Sequence, residues 1–564
     1  MITAIDTETT GLYPFSGDRP FMITTYDSLG AGRALYIGKD NLVPIDCYLM
    51  GESNEAVFHN AKFDLHMLET YGMKATCKIH DTMVMAHVYN PSEMNKQLKV
   101  LAKKYLGEEP YDQAEVKTWL RKNKTKRYDL VPREIMEPYA INDARITYLL
   151  YKFYEEKGVT EDATYLTEMR LLHALMNMER RGVPVDLEYA KEQAAICENR
   201  IIDIENYTRQ QFGEVNLGSN VQLKTFLFNK EGLTCENYTP KGNPCLDEYN
   251  LHLLEHPIIP YVLEFRDLTK TKSTYLDYMI NHHDSDGAIH CSYFQVGART
   301  GRLSCRDPNL QNIPVAGKVN IRRAFTVRGG HTQYYLDYSQ IELRLLAHYA
   351  KEQKMLDAFI KGEDLHELTA RGIFHGECDK DKRNMAKRLN FGIIYGIGGA
   401  KFVSMVHQEF PAIKINVGQA KEYISRYFRT YPGVSRFIAA VKNNIFARAK
   451  VQKDGTYIGY VTDIFGRKYL CDTRENYKAV NYLIQGCAAG IIKKAMIDID
   501  NLLATKKSNV LLTIHDELVV EVHNQEEELL PKIVDIMEDR NTFRVPITVN
   551  IEKTTTNWAE KTTV

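Results

Sequence analysis

Hydrophobic positions recur with two periods along this chain, and the places where the period changes divide it. Met1–Asp6 and Phe21–Tyr26 are short runs rich in β-branched and aromatic residues, which predicts strands. Pro138–Glu156 carries apolar residues at helical spacing and predicts a long helix. Residues 1–155 therefore read as α/β. Near Glu155–Asp162 the chain is charged and contains Gly158, a candidate boundary. Residues 163–280 are mostly helical by period, with breaks at Arg181–Pro184 and Pro240–Pro244. A mixed region to about 350 is followed by a helical one to about 450, broken at Gly396–Gly399 and Pro432–Gly433. The tail returns to strands at Asn509–Ile514, Leu518–Val522 and Ile547–Ile551.

A chain of 564 residues exceeds a single core, so two to four domains are expected. Hydrophobic residues at 44% and charged residues at 26% are those of an ordinary soluble protein, which excludes disordered and fibrous classes. The formal net charge of -1 argues against attachment to nucleic acid by bulk charge, leaving local basic patches. One such patch is Lys117–Arg127, with six basic residues; it reads equally as a solvated loop or a single-strand contact. The ten cysteines form no CxxC pair and read as reduced thiols. No signal peptide precedes Asp6, and no apolar run reaches the roughly 18–20 residues of a membrane span, so a cytoplasmic, non-membrane protein is expected.

The chemistry concentrates in acidic residues at strand ends. Gln333–Leu336 is a β-type run that ends on Asp337, and Ser339-Gln-Ile-Glu342 has the form of a capping box opening a helix over Ile341–Ala350. Alone, Ser339 and Glu342 read as caps. Asp337 is harder to dismiss, because a carboxylate ending a buried strand needs a partner, and a metal ion is a good one. Val510–Ile514 and Leu518–Val522 flank His515-Asp516-Glu517 and predict a hairpin with the acids at its tip. An isolated Asp-Glu is commonly a polar turn, but two aspartates from different strands can clamp two Mg²⁺ ions roughly 3.5–4 Å apart. Between these sites, Arg383, Lys387, Phe391 and Tyr395 recur every four residues, one slowly drifting helical face. Two cations followed by two rings suit a triphosphate followed by a sugar and base. A basic turn running into an aromatic core stripe would look the same.

Near the start, Asp6 and Glu8 share one face of a strand, Asp64 closes HNAKFD, and Tyr139 and Asp143 share one helical face. Any one of these acids reads as a cap or turn residue. Four that converge could hold two metals, with Tyr139 orienting a water.

DYSQIELR at Asp337–Arg344, RNMAKRLNFGIIYG at Arg383–Gly396 and HDE at His515–Glu517 resemble, in order, motifs A, B and C of family A DNA polymerases. TGRLS, PNLQNIP, DLHELTA, GYVTDIFGRK and NYLIQGCAAGIIKKAM extend the resemblance over about residues 165–564. The order DxE, NxxxD, YxxxD over about residues 1–155 resembles the DEDD proofreading exonucleases of the Tyr-bearing subtype. The resemblance implies an α/β and α+β multidomain chain. An RNase H-like 3′-5′ exonuclease domain over 1–155 would precede a right-hand polymerase over 156–564. Its thumb would be near 190–280, its fingers near 350–440, and its palm the remainder.

Residue by residue, the resemblance implies that Asp337 and Asp516 bind the polymerase metals. His366, Arg383 and Lys387 would hold the triphosphate, with Lys387 giving a proton to the leaving pyrophosphate. Phe391 and Tyr395 would line the sugar and base pocket, and Glu342 would be the steric gate against a 2′-hydroxyl. Arg302, Asn481, Gln485 and His515 would touch primer terminus or template, reading minor-groove acceptors that correct pairs share. Asp6, Glu8, Asp64 and Asp143 would bind the exonuclease metals beside Tyr139, whereas Asp81 is assigned to structure. The implied cofactor is Mg²⁺, two ions per site, with Mn²⁺ a substitute. The implied partners are primer-template DNA and deoxynucleoside triphosphates, acting on a monomer.

Two positions depart from the family pattern: Tyr477 stands where an Arg is usual, and Gly490 where many members carry Asp. Neither would bind metal, so the expected effect falls on template contacts. No sequence ahead of the exonuclease remains for a 5′-nuclease domain, a layout that looks like a replicative polymerase of a bacteriophage, working in host cytoplasm. A stand-alone nuclease, an RNA-making relative and a non-catalytic scaffold are the rivals. The complete motif set opposes the first and last, and Glu342 as a gate opposes the second.

Overall fold

Strands buried on both faces build the first sheet. In the computed structural model, strands β1 (Ile2–Thr9), β2 (Pro20–Asp27), β3 (Gly32–Tyr36), β4 (Glu55–Phe58) and β5 (Lys78–Asp81) pair in the order β3-β2-β1-β4-β5. The structure describes all residues except 39–48, 50, 52, 109–113, 316, 377, 411 and 453. It divides into two units: Met1–Glu179 with Tyr293–Ser304 and Tyr335–Ile551, and Arg180–Ser292 with Cys305–Tyr334 and Glu552–Val564.

Successive residues of β1 enter opposite layers of the first unit. Ile5 packs with Ile23, Phe58, Leu65 and Leu172, while Ala4 packs with Val57, Ile146, Leu150 and Tyr154. β1 pairs antiparallel with β2 along its length but parallel with β4 only over Ile2–Ala4. Its Asp6–Glu8 end thus runs past β4. The helix Ala61–Thr70 starts where β4 stops, after Asn60 at φ 79°, and carries Asp64 in its first turn. The helix Arg133–Glu156 starts five residues earlier than the pattern predicts, so Pro138 lies inside it. A proline in the second turn removes one hydrogen bond and crowds the carbonyl one turn back, a cost that the buried face of Tyr139, Ala140, Asp143 and Ala144 outweighs. Lys117–Arg127 is not a loop throughout. Ala114–Lys122 is helical, because Val116 and Leu120, one turn apart, are buried. Asp81 accepts from the backbone N–H of Met83, Asn60 and Ala61 at 2.8, 3.2 and 2.8 Å, a structural cap as expected.

The second sheet has the strand order Asn509–Ile514, Glu517–His523, His331–Tyr338, Val549–Thr554, Thr562–Thr563. The first two form an antiparallel hairpin with Ile514 opposite Glu517, so His515 and Asp516 are its two-residue tip. His515 adopts φ 55°, the left-handed conformation such a tight turn demands. Among the described residues, seven helices fill the interval from Ile341 to Ala447, including Leu365–Ile373 and Lys380–Ile394. The helix Lys478–Leu503 follows, buried along most of its length. The expected capping box is absent. Ser339 still belongs to sheet pairing, its N–H donating to the Thr548 carbonyl at 2.9 Å. The chain therefore turns one residue later, with Gln340 at φ 51° as an N-cap that makes no side-chain bond.

The second unit is largely helical. Leu187–Phe212 and Ile259–Thr271 bring Ile204, Val262, Phe265 and Leu268 into its interior. Arg200 closes them with a two-pronged bond to Glu264, at 2.9 and 3.1 Å.

Within the first unit, one buried polar network ties five segments together. Glu168, on the helix Ala163–Arg181, accepts from Arg467 Nη1 at 2.6 Å, Gln295 Nε2 at 2.7 Å and Lys493 Nζ. Arg467 also meets His87 Nε2 at 2.9 Å, on the helix Thr82–Tyr89 that follows β5. Burial alone would raise the Glu168 carboxyl, but the charges of Lys493 and Arg467 outweigh it and hold it low. Glu168→Ala would leave two cations buried without their anion. It is expected to cost about 3–5 kcal/mol in urea unfolding monitored for this unit. A loss below about 1 kcal/mol would mean that water replaces the carboxylate.

Candidate active sites

Four carboxylates converge where β1 overruns β4. Asp6 and Glu8 come from β1, Asp64 from the next helix, and Asp143 from the helix Arg133–Glu156, which crosses the sheet. Thr7, between the first two, fixes the third: its N–H and hydroxyl donate to Asp64 Oδ1 at 3.0 and 2.7 Å. Burial raises Asp6 well above the usual carboxylate range, and the charges of Asp64, Glu8 and Asp143 push the same way. Burial with Asp143 raises Glu8 to about 8, and burial raises Asp64 to about 7 against its bonds from Thr7. Burial also raises Asp143, opposed by Lys99 and by hydrogen bonds from Lys99 and Tyr139. Asp143 Oδ1 is buried with no hydrogen-bond partner.

These residues fit divalent metal by the chemistry of the donor set: oxygen ligands of one sign, mutually repelling, with one orphaned buried oxygen. They are not drawn to ligand spacing. Among the described residues, no group of three or more His, Cys, Asp or Glu stands close enough to hold an ion.

The second acidic site lies where the hairpin meets the strand His331–Tyr338. The N–H of Tyr338 donates to the Asp516 carbonyl at 3.1 Å, which brings Asp337 and Asp516 to neighbouring backbone positions. Asp337 is exposed, and Asp516 is half-buried. Arg302 Nη2 donates to Glu342 Oε1 at 2.6 Å and reaches Asp516 Oδ1 at 3.3 Å. Burial raises both carboxyls, and Arg302 opposes the rise in each. Glu342 thus serves this cluster and not a helix cap.

The ladder lies on the helix Lys380–Ile394, with Tyr395 just past its end. Arg383 pairs with Asp364 Oδ2 at 2.6 Å, and Asp364 caps the helix that carries His366. The rings of His366 and Phe391 stand 6.0 Å apart, and Lys387 is exposed. At the far end, Gln485 Nε2 donates to the Tyr395 hydroxyl at 2.6 Å, and Gln485 also helps to hold the Glu342 carboxyl down. The end of the ladder and the Arg302 bridge to Asp516 thus both border Gln485 and Glu342. Asn481, one turn before Gln485, keeps a buried Oδ1 with no partner. Tyr477, another turn back, is exposed beside Gly396, which has φ 69°; a Cβ there would stand 3.3 Å from the Tyr477 ring. At Gly490 a Cβ would stand 2.7 Å from the Phe465 ring, so this chain fills that place with an aromatic from elsewhere.

Sequence reasoning missed Asp364 as the partner of Arg383, although an Asp with Glu367 three residues later signals a cap. It also missed Asn390 and Lys99. Asn390, fully buried, donates to His366 Nδ1 at 3.0 Å, which leaves Nε2 as the ring N–H. Lys99 sits in no motif, and nothing in the local pattern marks it.

Burial holds His366 down at about 4, with Asp364 opposing and Arg383 and Lys387 reinforcing. Its folded pKa lies below the unfolded value near 6.5, so between these pH values the unfolded chain binds more protons. The stabilisation is present above about pH 6.5 and lost as pH falls toward 4. His366→Asn should therefore show a smaller drop in melting temperature from pH 6.5 to 4.5 than the parent. Equal drops would mean that His366 protonates freely in the folded state.

Comparison with known proteins places these features in a family. The model of "DNA polymerase family A" matches residues 187–560, and that of "3'-5' exonuclease" matches residues 2–158. DNA polymerase I of Treponema pallidum is 33% identical over 524 residues, covering 89% of this chain and 51% of the relative. DNA polymerase I of Chloroflexus aurantiacus is 32% identical over 600 residues, covering 99% and 61%. The chain thus spans little more than half the length of these curated relatives. The polymerase domain of Pol1 from M. smegmatis, solved with DNA primer-template and dNTP, superposes with a TM-score of 0.80 at 26% identity. That match covers 99% of this chain and 95% of the other. With its own acidic hairpin, ladder and carboxylate cluster in the places that these models span, the chain belongs to DNA polymerase family A and carries a 3′-5′ exonuclease domain.

Proposed function

We propose that the chain extends a DNA primer from deoxynucleoside triphosphates on a template and edits the 3′ end, using the two acidic sites separately. The observation that carries this is the pair of contacts that meet behind the ladder: Gln485 holds the Tyr395 hydroxyl at its end, and Arg302 joins Glu342 to Asp516. In this reading residues 1–155 edit and 156–564 synthesise, with 190–280 as thumb, 350–440 as fingers and the remainder as palm. The Treponema and Chloroflexus relatives are bacterial proteins. Genome replication in a phage finds no support in these comparisons, so the reading stays with synthesis and editing.

Asp337 and Asp516 would hold divalent cations in the synthetic site, and Asp6, Glu8, Asp64 and Asp143 in the editing site. Bound there, such ions supply charge neutralisation at phosphate and lower the pKa of the attacking oxygen. The chain's own groups do the rest. Arg383 offers a planar fork and Lys387 a mobile ammonium to the triphosphate, and Lys387 can give a proton to the departing pyrophosphate oxygen. His366 presents Nε2–H as a neutral donor. Phe391 and Tyr395 face sugar and base, and Glu342 fills the space a 2′-hydroxyl would need. Arg302 bridges two carboxylates here, so turning to the primer terminus requires that it release them. The unpartnered Oδ1 of Asn481, with Gln485 and His515, suits contacts to the base-pair edge. In the editing site Tyr139, one turn from Asp143 on the same helix, orients a water.

Separate sites predict crossed phenotypes. Asp337→Asn or Asp516→Asn should lower primer extension by orders of magnitude and leave single-strand degradation intact. Asp6→Ala with Glu8→Ala should do the reverse. Extension by either Asn variant at the normal rate, or digestion of a mismatched end by the double variant, would refute the assignment.

Phe391 tests one atom. A phenyl ring leaves the 3′ position of the incoming sugar without a protein hydroxyl. A normal nucleotide supplies its own, and a dideoxynucleotide does not. Phe391→Tyr adds a hydroxyl that can bond to the charged triphosphate, worth about 1.5–3 kcal/mol, so discrimination should fall roughly 10- to 150-fold. The assay is competition of a dideoxynucleotide with its deoxy counterpart in the Asp6→Ala, Glu8→Ala background. Equal discrimination by both proteins would make Phe391 a packing residue.

A further inference from the structure

A cation stands inside the carboxylate cluster that no motif calls for. Lys99 lies in the first turn of the helix Leu98–Leu106, which packs along the helix Arg133–Glu156. Its Nζ is 3.3 Å from Asp143 Oδ2 and 4.2 Å from the centre of the Tyr139 ring. The ammonium thus touches, at once, an expected metal ligand and the face of the ring expected to orient the attacking water. The stem is enclosed, with the side chain 27% exposed against 10% for Asp143. Lys99 opposes the upward push on Asp6, Glu8 and Asp143 alike, so its charge acts on three of the four acids.

Two physical consequences follow, and they point in opposite directions. An ammonium bonded to a carboxylate and stacked on a ring holds both in one register. Tyr139 and Asp143 lie one turn apart on the same helix, so a single ammonium can set both. The same positive charge repels any divalent cation that approaches Asp143. A residue kept for packing alone would do neither.

We propose that Lys99 is a positioning residue of the exonuclease site, which sets Asp143 and the Tyr139 ring for attack on the terminal phosphodiester and weakens metal binding in doing so. The inference rests on the exonuclease reading of this cluster. Removing the charge should tighten metal and slow turnover together.

The test uses the full chain carrying Asp337→Asn and Asp516→Asn, so that metal titration reports the exonuclease cluster. Isothermal titration with Mn²⁺ gives the affinity, and degradation of a single-stranded oligonucleotide gives kcat and KM. For Lys99→Met, Mn²⁺ should bind roughly tenfold tighter, as expected for losing one charge a few ångströms away in a half-buried site. The degradation kcat should fall roughly 10- to 100-fold through misplacement, with KM changed less than about twofold. Lys99→Arg, which keeps the charge and the ring contact, should restore the parental Mn²⁺ affinity and most of kcat. Should Lys99→Met fail to fold, Lys99→Gln is read in the same way.

Parental affinity and parental kcat in the uncharged variant overturn the proposal. So does a joint loss of affinity and rate, which is the mark of a loosened fold. The Asp6→Ala, Glu8→Ala variant separates this failure from failure of the site itself. If it keeps Mn²⁺ binding and degradation, the exonuclease reading falls. If it loses both while the Lys99 variants stay silent, this inference alone falls.

Discussion

Holding carboxylates of like charge together, partly out of water, is the constraint that shapes this molecule. Each such group loses hydration and repels its neighbours, so a fold that gathers them must fix their backbones by other means. The first site does so with a strand that outruns its neighbour and a helix that begins where that neighbour ends. Thr7 then ties Asp64 to β1 with two hydrogen bonds. The second site uses a two-residue hairpin tip, held to the adjacent strand by the bond from Tyr338 N–H to the Asp516 carbonyl. In both, backbone pairing supplies the geometry and the acids are carried along with it.

Each site also carries a cation of its own. Lys99 lies against Asp143 and Tyr139, and Arg302 lies between Glu342 and Asp516. The likeness is physical: a positive charge lowers the repulsion that burial magnifies. The difference lies in shape. Arg302 has a planar fork that can bridge two carboxylates, whereas Lys99 is a point charge seated on a ring. Outside both clusters, Glu168 reverses the signs, one buried anion serving Arg467 and Lys493. That network links the helix after β5 to the long helix Lys478–Leu503, which also carries Asn481 and Gln485.

Local pattern made much of this fold legible. The strands β1 and β2, the hairpin, the helix Ile341–Ala350 and the breaks at Gly396–Gly399 and Pro432–Gly433 follow from short-range periodicity and turn chemistry, which depend on nearest neighbours in the chain. The exceptions share one cause. Helix start points moved at Arg133 and in Lys117–Arg127 because burial of a distant face overrode local propensity. The capping box at Ser339 failed because that residue's N–H was already committed to Thr548, far away in the chain and adjacent in the sheet.

For the sites, the amino-acid sequence by itself determined which residue types are present and in what order: the acids, the four-residue ladder and the Tyr139–Asp143 spacing. Those are properties of order and spacing along the chain, and the motifs they form carry the resemblance to the family. Only the tertiary structure decided which charges answer one another. Lys99 with Asp143, Asp364 with Arg383, Arg302 with Glu342 and Asp516, and Asn390 with His366 are separated by tens to hundreds of residues or sit in no pattern. Coulomb and hydrogen-bond energies depend on distance in space, and no local rule of sequence carries that distance.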